Sequence, residues 1–297
     1  MTERCQAQNK TNGNDCKFKP SIGKFCKKHE NYILHNKYGT NAITITFGDR
    51  AENHKGMQII GQGKETGYSL KDFESIIEKC NTLGINTELY NLKEGIKDHV
   101  QFNNSEKAYV LVIRDAVKHI LKDVNKNEDD LFDEHIQLKW DTKAIMYGKV
   151  RNKNARHNLC YGETRQEADY EAGKGTVIPF DDIALTKIIK NKLPEFFGEL
   201  SKDLVAEGNL YHNINYNGIG FHGDSERKIV IAIRLGNDFP LRYRWYYQST
   251  FIGNNIDIPL YRGDIYIMSD KAVGYDWKLK NTTTLRHAAG CDGFIDK

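Results

Sequence analysis

The chain has 297 residues, 39% of them hydrophobic, and a formal net charge of +3 at neutral pH. This length suits about two domains, and this apolar content excludes a chain that is disordered throughout. No run approaches the ~18 apolar residues of a membrane-spanning helix, and the polar N-terminus MTERCQAQNK lacks the apolar core of a secretory signal, so we expect an intracellular protein, cytoplasmic or nuclear, with reduced cysteines.

A basic segment with few large apolar side chains occupies residues 1–36. Residues 1–40 carry eight Lys/Arg and three Asp/Glu, a local charge of +5. So short a segment cannot bury enough apolar surface to fold alone, and it is therefore either disordered or held together by a metal. Its candidate metal ligands are Cys5, Cys16, Cys26 and His29. Three sulfurs and one nitrogen form a closed tetrahedral set, which predicts a structural zinc ion.

This zinc segment also resembles short Cys3His modules of viral and phage proteins, which is compatible with a viral protein acting in a host cell. Lysines around a rigid zinc site suit contacts with the phosphates of nucleic acid. The alternatives are scattered free cysteines in a tail, and lysines that serve only as a solubilising surface.

A small α/β segment is predicted over residues 37–105. The run AITITF at 42–47 alternates like a strand, and SLKDFESIIEKCNTLG at 69–84 places its apolar residues on one helical face, with Ser69 as a cap. The run NTELYNL then predicts a second strand. Residues 48–63 concentrate charged and polar side chains between glycines. We interpret them as a polar turn network, with a second site or a partner surface as alternatives.

Strand signals become dense in residues 106–297, where the runs are AYVLVI, AIMYGKV, KIVIAIRL, RYRWYY and DIYIMS. A helix is predicted over 180–201, with a kink or break at Pro194. Short strands joined by Gly-rich turns, with most helices before them, predict an α+β fold in which flanking helices cover a β-sandwich or jelly roll.

One short motif, His222-Gly223-Asp224, has the spacing of a metal site, because side chains two apart on an extended segment point to the same side. The only histidine that follows it is His287, in the strand-like run TTTLRHAAGC. Two histidines and one carboxylate leave three coordination positions open, as in the facial triad of non-haem Fe(II) oxygenases. The alternative is that His222 and Asp224 are turn residues and His287 is a core histidine.

The runs GNLYHNINYNGIGFHGDSERKIVIAIRLG and YRGDIYIM, in this order, resemble the AlkB-type 2-oxoglutarate/Fe(II) dioxygenases. The run ARHNLCYGE resembles the upstream segment that shapes the substrate entrance in that family, and the resemblance spans about residues 140–291. It implies a double-stranded β-helix, or jelly roll, with Fe(II) held by His222, Asp224 and His287. It also implies that Asn209 and Tyr211 help to hold 2-oxoglutarate.

The chain departs from the family pattern near its C-terminus. Most relatives have their second histidine within about fifteen residues of the Gly-Asp turn, whereas His287 lies 24 residues beyond Gly263. The family also places an arginine after that histidine to bind the 2-oxoglutarate carboxylate, and Arg286 is the nearest candidate. In an alternative alignment Arg286 takes that role and His287 is not an iron ligand. Weaker candidates for the carboxylate are Arg234, Arg242 and Arg244.

For the substrate, the candidate contacts are Arg151, Arg156 and Tyr161, with Lys153 as a further cation. The resemblance and the basic zinc segment together predict a dioxygenase that hydroxylates or demethylates a base in DNA or RNA. The alternatives are a protein or small-molecule hydroxylase of the same fold, and a non-catalytic protein that binds zinc and nucleic acid.

Overall fold

The structure, a computed structural model, describes residues 37–102 and 104–296. The predicted zinc ligands Cys5, Cys16, Cys26 and His29 lie outside the described residues. None of the described helices is long and apolar enough to cross a membrane.

Strands make up most of the regular structure, and helices join or cover them. The strands are β1 (Ala42–Gly48), β2 (Arg50–Glu52), β3 (Ile59–Gly61), β4 (Thr87–Asn91), β5 (Tyr109–Ile113), β6 (Lys143–Met146), β7 (Lys149–Asn152), β8 (His157–Gly162), β9 (Val177–Pro179), β10 (Val205–Tyr211), β11 (Gly218–His222), β12 (Ile231–Gly236), β13 (Leu241–Tyr247), β14 (Thr250–Ile258), β15 (Ile265–Met268) and β16 (Thr284–Gly290). The α-helices are α1 (Leu70–Thr82), α2 (Ala116–Ile120), α3 (Glu128–Ile136), α4 (Ala184–Phe197), α5 (Asp270–Val273) and α6 (Asp292–Ile295). Short 3-10 helices lie at Leu92–Ile96, Val100–Phe102, Lys122–Val124, Phe180–Asp182 and Glu199–Ser201.

Two sheets dominate the part of the chain that the structure describes. The larger has eight strands in the order β4-β5-β15-β12-β1-β10-β8-β9, and the smaller has four in the order β11-β16-β13-β14. Neighbouring strands in both sheets are antiparallel, except that β8 and β9 are parallel. The expected mixture of helices with mainly antiparallel sheet is confirmed. Two separate hairpins, β2–β3 and β6–β7, complete the described strands.

Alternation along β1 shows how the layers are arranged. Its Ile43, Ile45 and Phe47 pack into a core shared with the helices. Its Thr44 and Thr46 face the opposite side, where they line a cavity between the larger and the smaller sheet. Because side chains alternate at period two, the pattern AITITF places one apolar face under the helices and one polar face over the cavity.

Strand β1 lies in the middle of the larger sheet, between β10 and β12. Strands β1 and β4, from residues 37–105, therefore share one sheet with strands from the rest of the described chain. The first described residues are anchored as well, because the Thr40 hydroxyl donates to the His212 carbonyl over 3.0 Å.

One local prediction is confirmed and two are revised. Helix α1 follows Ser69, whose hydroxyl caps it, as expected. Helix α4 is shorter than the predicted 180–201 and runs through Pro194 to Phe197. The run AIMYGKV, expected as one strand, is a hairpin that turns at Tyr147 and Gly148, where φ is 53° and 73°.

Candidate metal centre

The two histidines of the predicted triad are brought together by strand pairing. His222 ends β11 and is the direct antiparallel partner of His287 on β16. Their ring centroids are 4.5 Å apart. Asp224 follows His222 by two residues and points to the same place. The strand register thus overcomes a separation of 65 residues in sequence between the two histidines.

The three side chains have spacings that suit a metal ion. Nε2 of His222 lies 3.5 Å from Oδ1 of Asp224, and Nε2 of His287 lies 3.9 Å from the same oxygen. One ligand atom from each residue falls within 4.8 Å of the others. Ligands on one octahedral face at metal distances of about 2.1 Å are about 3 Å apart. A small contraction of the side chains would therefore complete the site, so the donor set fits a metal with three open positions.

Each histidine is held in a form that suits a metal ligand. Nδ1 of His222 lies 2.8 Å from the carbonyl oxygen of Gly220, and donation to this oxygen leaves Nε2 directed at Asp224. His287 is buried, and burial, together with the nearby His222 and Arg227, lowers its pKa well below the usual value. A neutral imidazole is the form that coordinates a metal.

Asp224 is held by a backbone hydrogen bond and by a buried guanidinium. Its amide donates to the carbonyl of Val273 over 3.0 Å. Nε of Arg227 lies 3.7 Å from its Oδ2, and the same guanidinium donates to Glu207 over 2.6 Å. Oδ2 thus faces Arg227, and Oδ1 is left facing the histidines. The turn between the ligands requires glycine, because a Cβ on Gly223 would overlap the carbonyl oxygen of Gly274.

A cavity between the two sheets opens onto the triad. It is lined by the ligands and by Thr44, Asn209, Tyr211, Arg234 and Tyr266. Arg234 is fully buried, its Nη1 donates to the Thr44 hydroxyl over 2.8 Å, and its Nε has no partner. No described carboxylate forms an ion pair with it. A buried cation without a counter-charge is costly, so the cavity favours an anionic occupant.

Two tyrosines on the wall of the cavity can donate hydrogen bonds to such an anion. Burial raises the pKa of Tyr266 to about 12 and also raises the pKa of Tyr211. Both hydroxyls therefore remain protonated at neutral pH. The Tyr211 ring packs against Phe239 with a centroid separation of 4.2 Å, which fixes its position.

No protein-family model matches the chain. It is similar to the Uncharacterized protein R156 of Acanthamoeba polyphaga mimivirus, with 49% identity over 253 residues, which cover 85% of this chain and 97% of that protein. The chain belongs to the R156 family. That relative's name states no activity.

The predicted cofactor residues of this R156-family protein divide into two groups. Asn209 and Tyr211, predicted to help hold 2-oxoglutarate, line the cavity. The Asn209 amide is fixed on both sides, because its oxygen accepts from Arg156 and Asn158, each over 2.7 Å, and its nitrogen donates to Glu207. Asn209 therefore connects the cavity with Arg156 on the outside.

Arg286 does not reach the cavity, which corrects the expectation that it binds the 2-oxoglutarate carboxylate. It precedes His287 on β16 and so points to the opposite face of the sheet. There its guanidinium lies over the ring of Tyr246 at 4.0 Å and over that of Trp277 at 5.2 Å. The alternative alignment, with Arg286 on the carboxylate and His287 away from the metal, is thus contradicted by the position of both side chains.

Arg242 and Arg244, two of the weaker candidates for the 2-oxoglutarate carboxylate, also occupy strand positions whose side chains point away from the cavity. Arg242 pairs with Asp257 on the neighbouring strand, with Nε 2.5 Å from Oδ1. Arg244 donates to Asn255 over 2.7 Å and lies over the Phe221 ring. Neither lines the cavity, whereas Arg234 does. The sequence signal for Arg234 is its position in the apolar run IVIAIRL. An arginine is unusual in such a run, because the strand is buried on both faces.

The predicted substrate residues lie in three different environments. Arg156 lines a cleft outside the triad, and Arg151 is exposed on β7. Tyr161 is fully buried against the helices, with its hydroxyl 2.9 Å from Nδ1 of His135, so the expected substrate contact of Tyr161 is wrong. Lys153 is buried as well, because its ammonium donates to the side chain of Asn53 over 2.6 Å.

The cleft outside the triad has a volume of about 340 Å³ and is walled by side chains that the sequence did not assign to the site. These are Glu52, His54, Lys55, Glu226 and Trp277. Burial, partly offset by a hydrogen bond from the Gly56 amide, raises the pKa of Glu52 to about 7. For Glu52, His54 and Lys55 the concentration of polar residues at 48–63 was the only signal, and Glu226 and Trp277 had none. Asp49 and Asn53 of that segment do form the expected polar network.

Proposed function

We propose that this chain is a 2-oxoglutarate- and Fe(II)-dependent dioxygenase of AlkB type that oxidises a base in DNA or RNA. The proposal is carried by one observation. A His-Asp-His set and a buried guanidinium without a carboxylate partner among the described residues line the same cavity.

The donor set is the first support. His222, Asp224 and His287 offer two imidazoles and one carboxylate, which leave three coordination positions for ligands that are not protein. A structural zinc site would instead be closed by four protein ligands. Fe(II) held there, with 2-oxoglutarate and O₂, supplies the oxidation of an otherwise unreactive C–H bond, and the protein supplies position and shelter.

The anion-binding end of the cavity is the second support. Arg234 would pair with the carboxylate of 2-oxoglutarate that is remote from the metal, because charge-assisted hydrogen bonds to a guanidinium hold carboxylates strongly. The Thr44 hydroxyl fixes the guanidinium, and the Tyr266 hydroxyl lines the same space. A dicarboxylate fits this arrangement better than a monocarboxylate, because the metal and Arg234 can each take one end.

The two facing sheets, with the cavity between them and helices outside, support a double-stranded β-helix as the fold. The zinc module at Cys5, Cys16, Cys26 and His29 is retained as a proposal, and its lysines would add phosphate contacts. For the substrate, a base must leave its stack to reach a metal buried between two sheets. The cleft with Glu52, Arg156 and Trp277 on its walls offers hydrogen-bonding groups and an aromatic face for such a base.

The test is aerobic incubation of the protein with Fe(II), 2-oxoglutarate and oligonucleotides that carry a panel of alkylated and unmodified bases. We expect succinate and an oxidised or dealkylated nucleoside, both measured by mass spectrometry, with single strands processed at least as well as duplex. His222→Ala is the matched inactive control. Succinate coupled to hydroxylation of a peptide, with no nucleoside product, would replace the nucleic-acid assignment by a protein hydroxylase. No iron-dependent succinate under any condition would refute the dioxygenase.

A further inference from the structure

An aromatic side chain stands almost fully in solvent at the tip of the β6–β7 hairpin. Tyr147 is 97% exposed, the largest exposure among the large hydrophobic side chains that the structure describes. The hairpin pairs with neither large sheet. Both turn residues, Tyr147 and Gly148, have positive φ, and the turn directs the Tyr147 side chain away from the rest of the fold. A ring exposed to this degree gains little from the fold itself and is free to stack on a ligand.

The hairpin carries positive charge only. Residues 143–152 contain Lys143, Lys149 and Arg151 and no Asp or Glu. All three cations are exposed, and none forms an ion pair with another described residue. Cations without ion-pair partners attract a polyanion, and the exposed aromatic ring beside them can stack on the planar rings of such a ligand.

Two adjoining surface depressions connect the hairpin tip with the candidate metal centre. A groove of about 690 Å³ lies between the tip and residues His54, Lys55 and Gly56. His54 and Lys55 also line the cleft that contains His222 and Asp224. A strand lying in the groove would therefore pass from Tyr147 to the mouth of the cavity, with Arg156 on the cleft wall beyond.

We infer that this groove is the track for single-stranded nucleic acid, with Tyr147 stacked on a base and Lys55 on the groove wall. The exposed Lys143, Lys149 and Arg151 lie on the same hairpin beside the groove and would contact phosphates of the strand as it leaves the groove. Sequence-tolerant binding of single strands combines these two elements, an aromatic platform and a basic groove. An acidic peptide would use the cations but would leave the Tyr147 ring without a partner. The inference rests on the proposed function in that the same strand would deliver its base to the triad.

The experiment measures binding of fluorescein-labelled single-stranded DNA and RNA of about 12 nucleotides to the full chain, without Fe(II) or 2-oxoglutarate. Tyr147→Ala should weaken binding about tenfold and Tyr147→Phe should restore it, because stacking requires only the ring. Lys143→Ala with Lys149→Ala should weaken binding and lower the slope of log affinity against log salt by about 1. The thermal unfolding midpoints should stay at the wild-type value, because these side chains are exposed.

Matched controls lie elsewhere on the surface. Tyr261→Ala removes another tyrosine, 51% exposed, and Lys118→Ala with Lys122→Ala removes two other exposed lysines. Both controls should bind as the wild type does. Equal losses in hairpin and control variants, no binding by the wild type, or binding of a poly-glutamate peptide with the same dependence on Tyr147 would each overturn the inference. Hairpin-dependent binding by a protein that makes no succinate would uphold it and refute only the proposed chemistry.

Discussion

His222 and His287 are direct partners across the β11–β16 pair, with ring centroids 4.5 Å apart. The long connection between β15 and β16 does not separate the ligands, because the strand register alone sets their approach. Residues of this long connection lie beside the candidate metal centre. Val273 accepts the hydrogen bond of the Asp224 amide, Gly274 packs against Gly223, and Trp277 lines the cleft.

Removing any one ligand should abolish stable metal binding. We expect His222→Ala, Asp224→Ala and His287→Ala each to weaken Mn²⁺ or Co²⁺ affinity by more than about 100-fold, since even the loss of outer partners costs 10–100-fold. Calorimetric or spectroscopic titration measures this. His119→Ala, on α2 away from the cavity, is the matched control and should titrate like the wild type. A His287→Ala protein with unchanged metal affinity would show that His287 is a core histidine only.

Gly223 is predicted to be irreplaceable in the ligand turn. In Gly223→Ala the new methyl group would overlap the Gly274 carbonyl and the Trp277 Cβ, which must move. We expect a loss of about 1–3 kcal/mol in the free energy of unfolding, together with weaker metal binding. Gly220→Ala, on β11 just before this turn, is the control, because a Cβ there meets nothing within 4 Å. Equal denaturant midpoints for the two variants would contradict the prediction.

Glu52 should lower the free energy of unfolding as the pH rises, which is the opposite of the usual effect of a carboxylate. Its pKa in the fold is raised from 4.5 to about 7, chiefly by burial and secondarily by the charges of Glu226 and Glu207 against that of Arg227. Between these two pH values the folded state holds a proton that the unfolded state has lost. The stability contributed by Glu52 is therefore full below about pH 4.5 and falls as pH rises to about 7.

Comparison with Glu52→Gln isolates this effect. The difference in unfolding free energy between the variant and the wild type should grow from pH 4.5 to 7 in favour of the variant, and should then stay level. Urea unfolding at several pH values measures it. A difference that is the same at pH 5 and pH 8 would show that Glu52 titrates as an ordinary surface carboxylate.

The proposed zinc module can be tested by measuring the metal content of the protein. Protein purified without added metal should retain about one zinc per chain, and Cys16→Ser with Cys26→Ser should lose it, because two of four ligands are gone. Elemental analysis measures the zinc content. Cys80→Ser is the matched control, since Cys80 is a buried free thiol of α1. Unchanged zinc in the double variant would place the metal elsewhere.

Much of this fold is readable from the sequence where burial follows a simple period. The alternation in AITITF predicted β1 because one of its faces packs under helices and the other faces a polar cavity. The motif His222-Gly223-Asp224 and the single downstream histidine predicted the triad once the AlkB-like motifs around them were taken into account, because the short motif alone also suits an ordinary turn. These signals are local, and the structure brings the predicted side chains together.

The face of each sheet that lines the cavity is not a local property. Tyr161 was assigned to the substrate and Arg286 to 2-oxoglutarate, and each points to the opposite face from the cavity. Parity along β8 and β16 is fixed by which neighbours pack on each side, and those neighbours are distant in sequence. Arg234, for example, is anchored by Thr44, which lies 190 residues away in the chain.

Arg234 is the residue whose replacement separates cosubstrate binding from metal binding. With metal bound, Arg234→Met should weaken 2-oxoglutarate binding about 10- to 100-fold, the worth of charged hydrogen bonds in a sheltered site. Metal affinity should change little, because Arg234 is not a ligand. Without ligands the variant should be as stable as the wild type or more stable, since it removes a buried charge that has no counter-charge.

Calorimetric titration of 2-oxoglutarate into the Mn²⁺-loaded protein measures the first effect, and thermal unfolding of the metal-free protein measures the second. Arg286→Met is the matched control and should leave 2-oxoglutarate affinity unchanged, because its guanidinium lies over Tyr246 on the far face of β16. Loss of 2-oxoglutarate binding in Arg286→Met but not in Arg234→Met would reverse the assignment. A large loss of stability in Arg234→Met would show instead that the guanidinium serves the fold, since a cation kept for a ligand is not needed to hold the two sheets together.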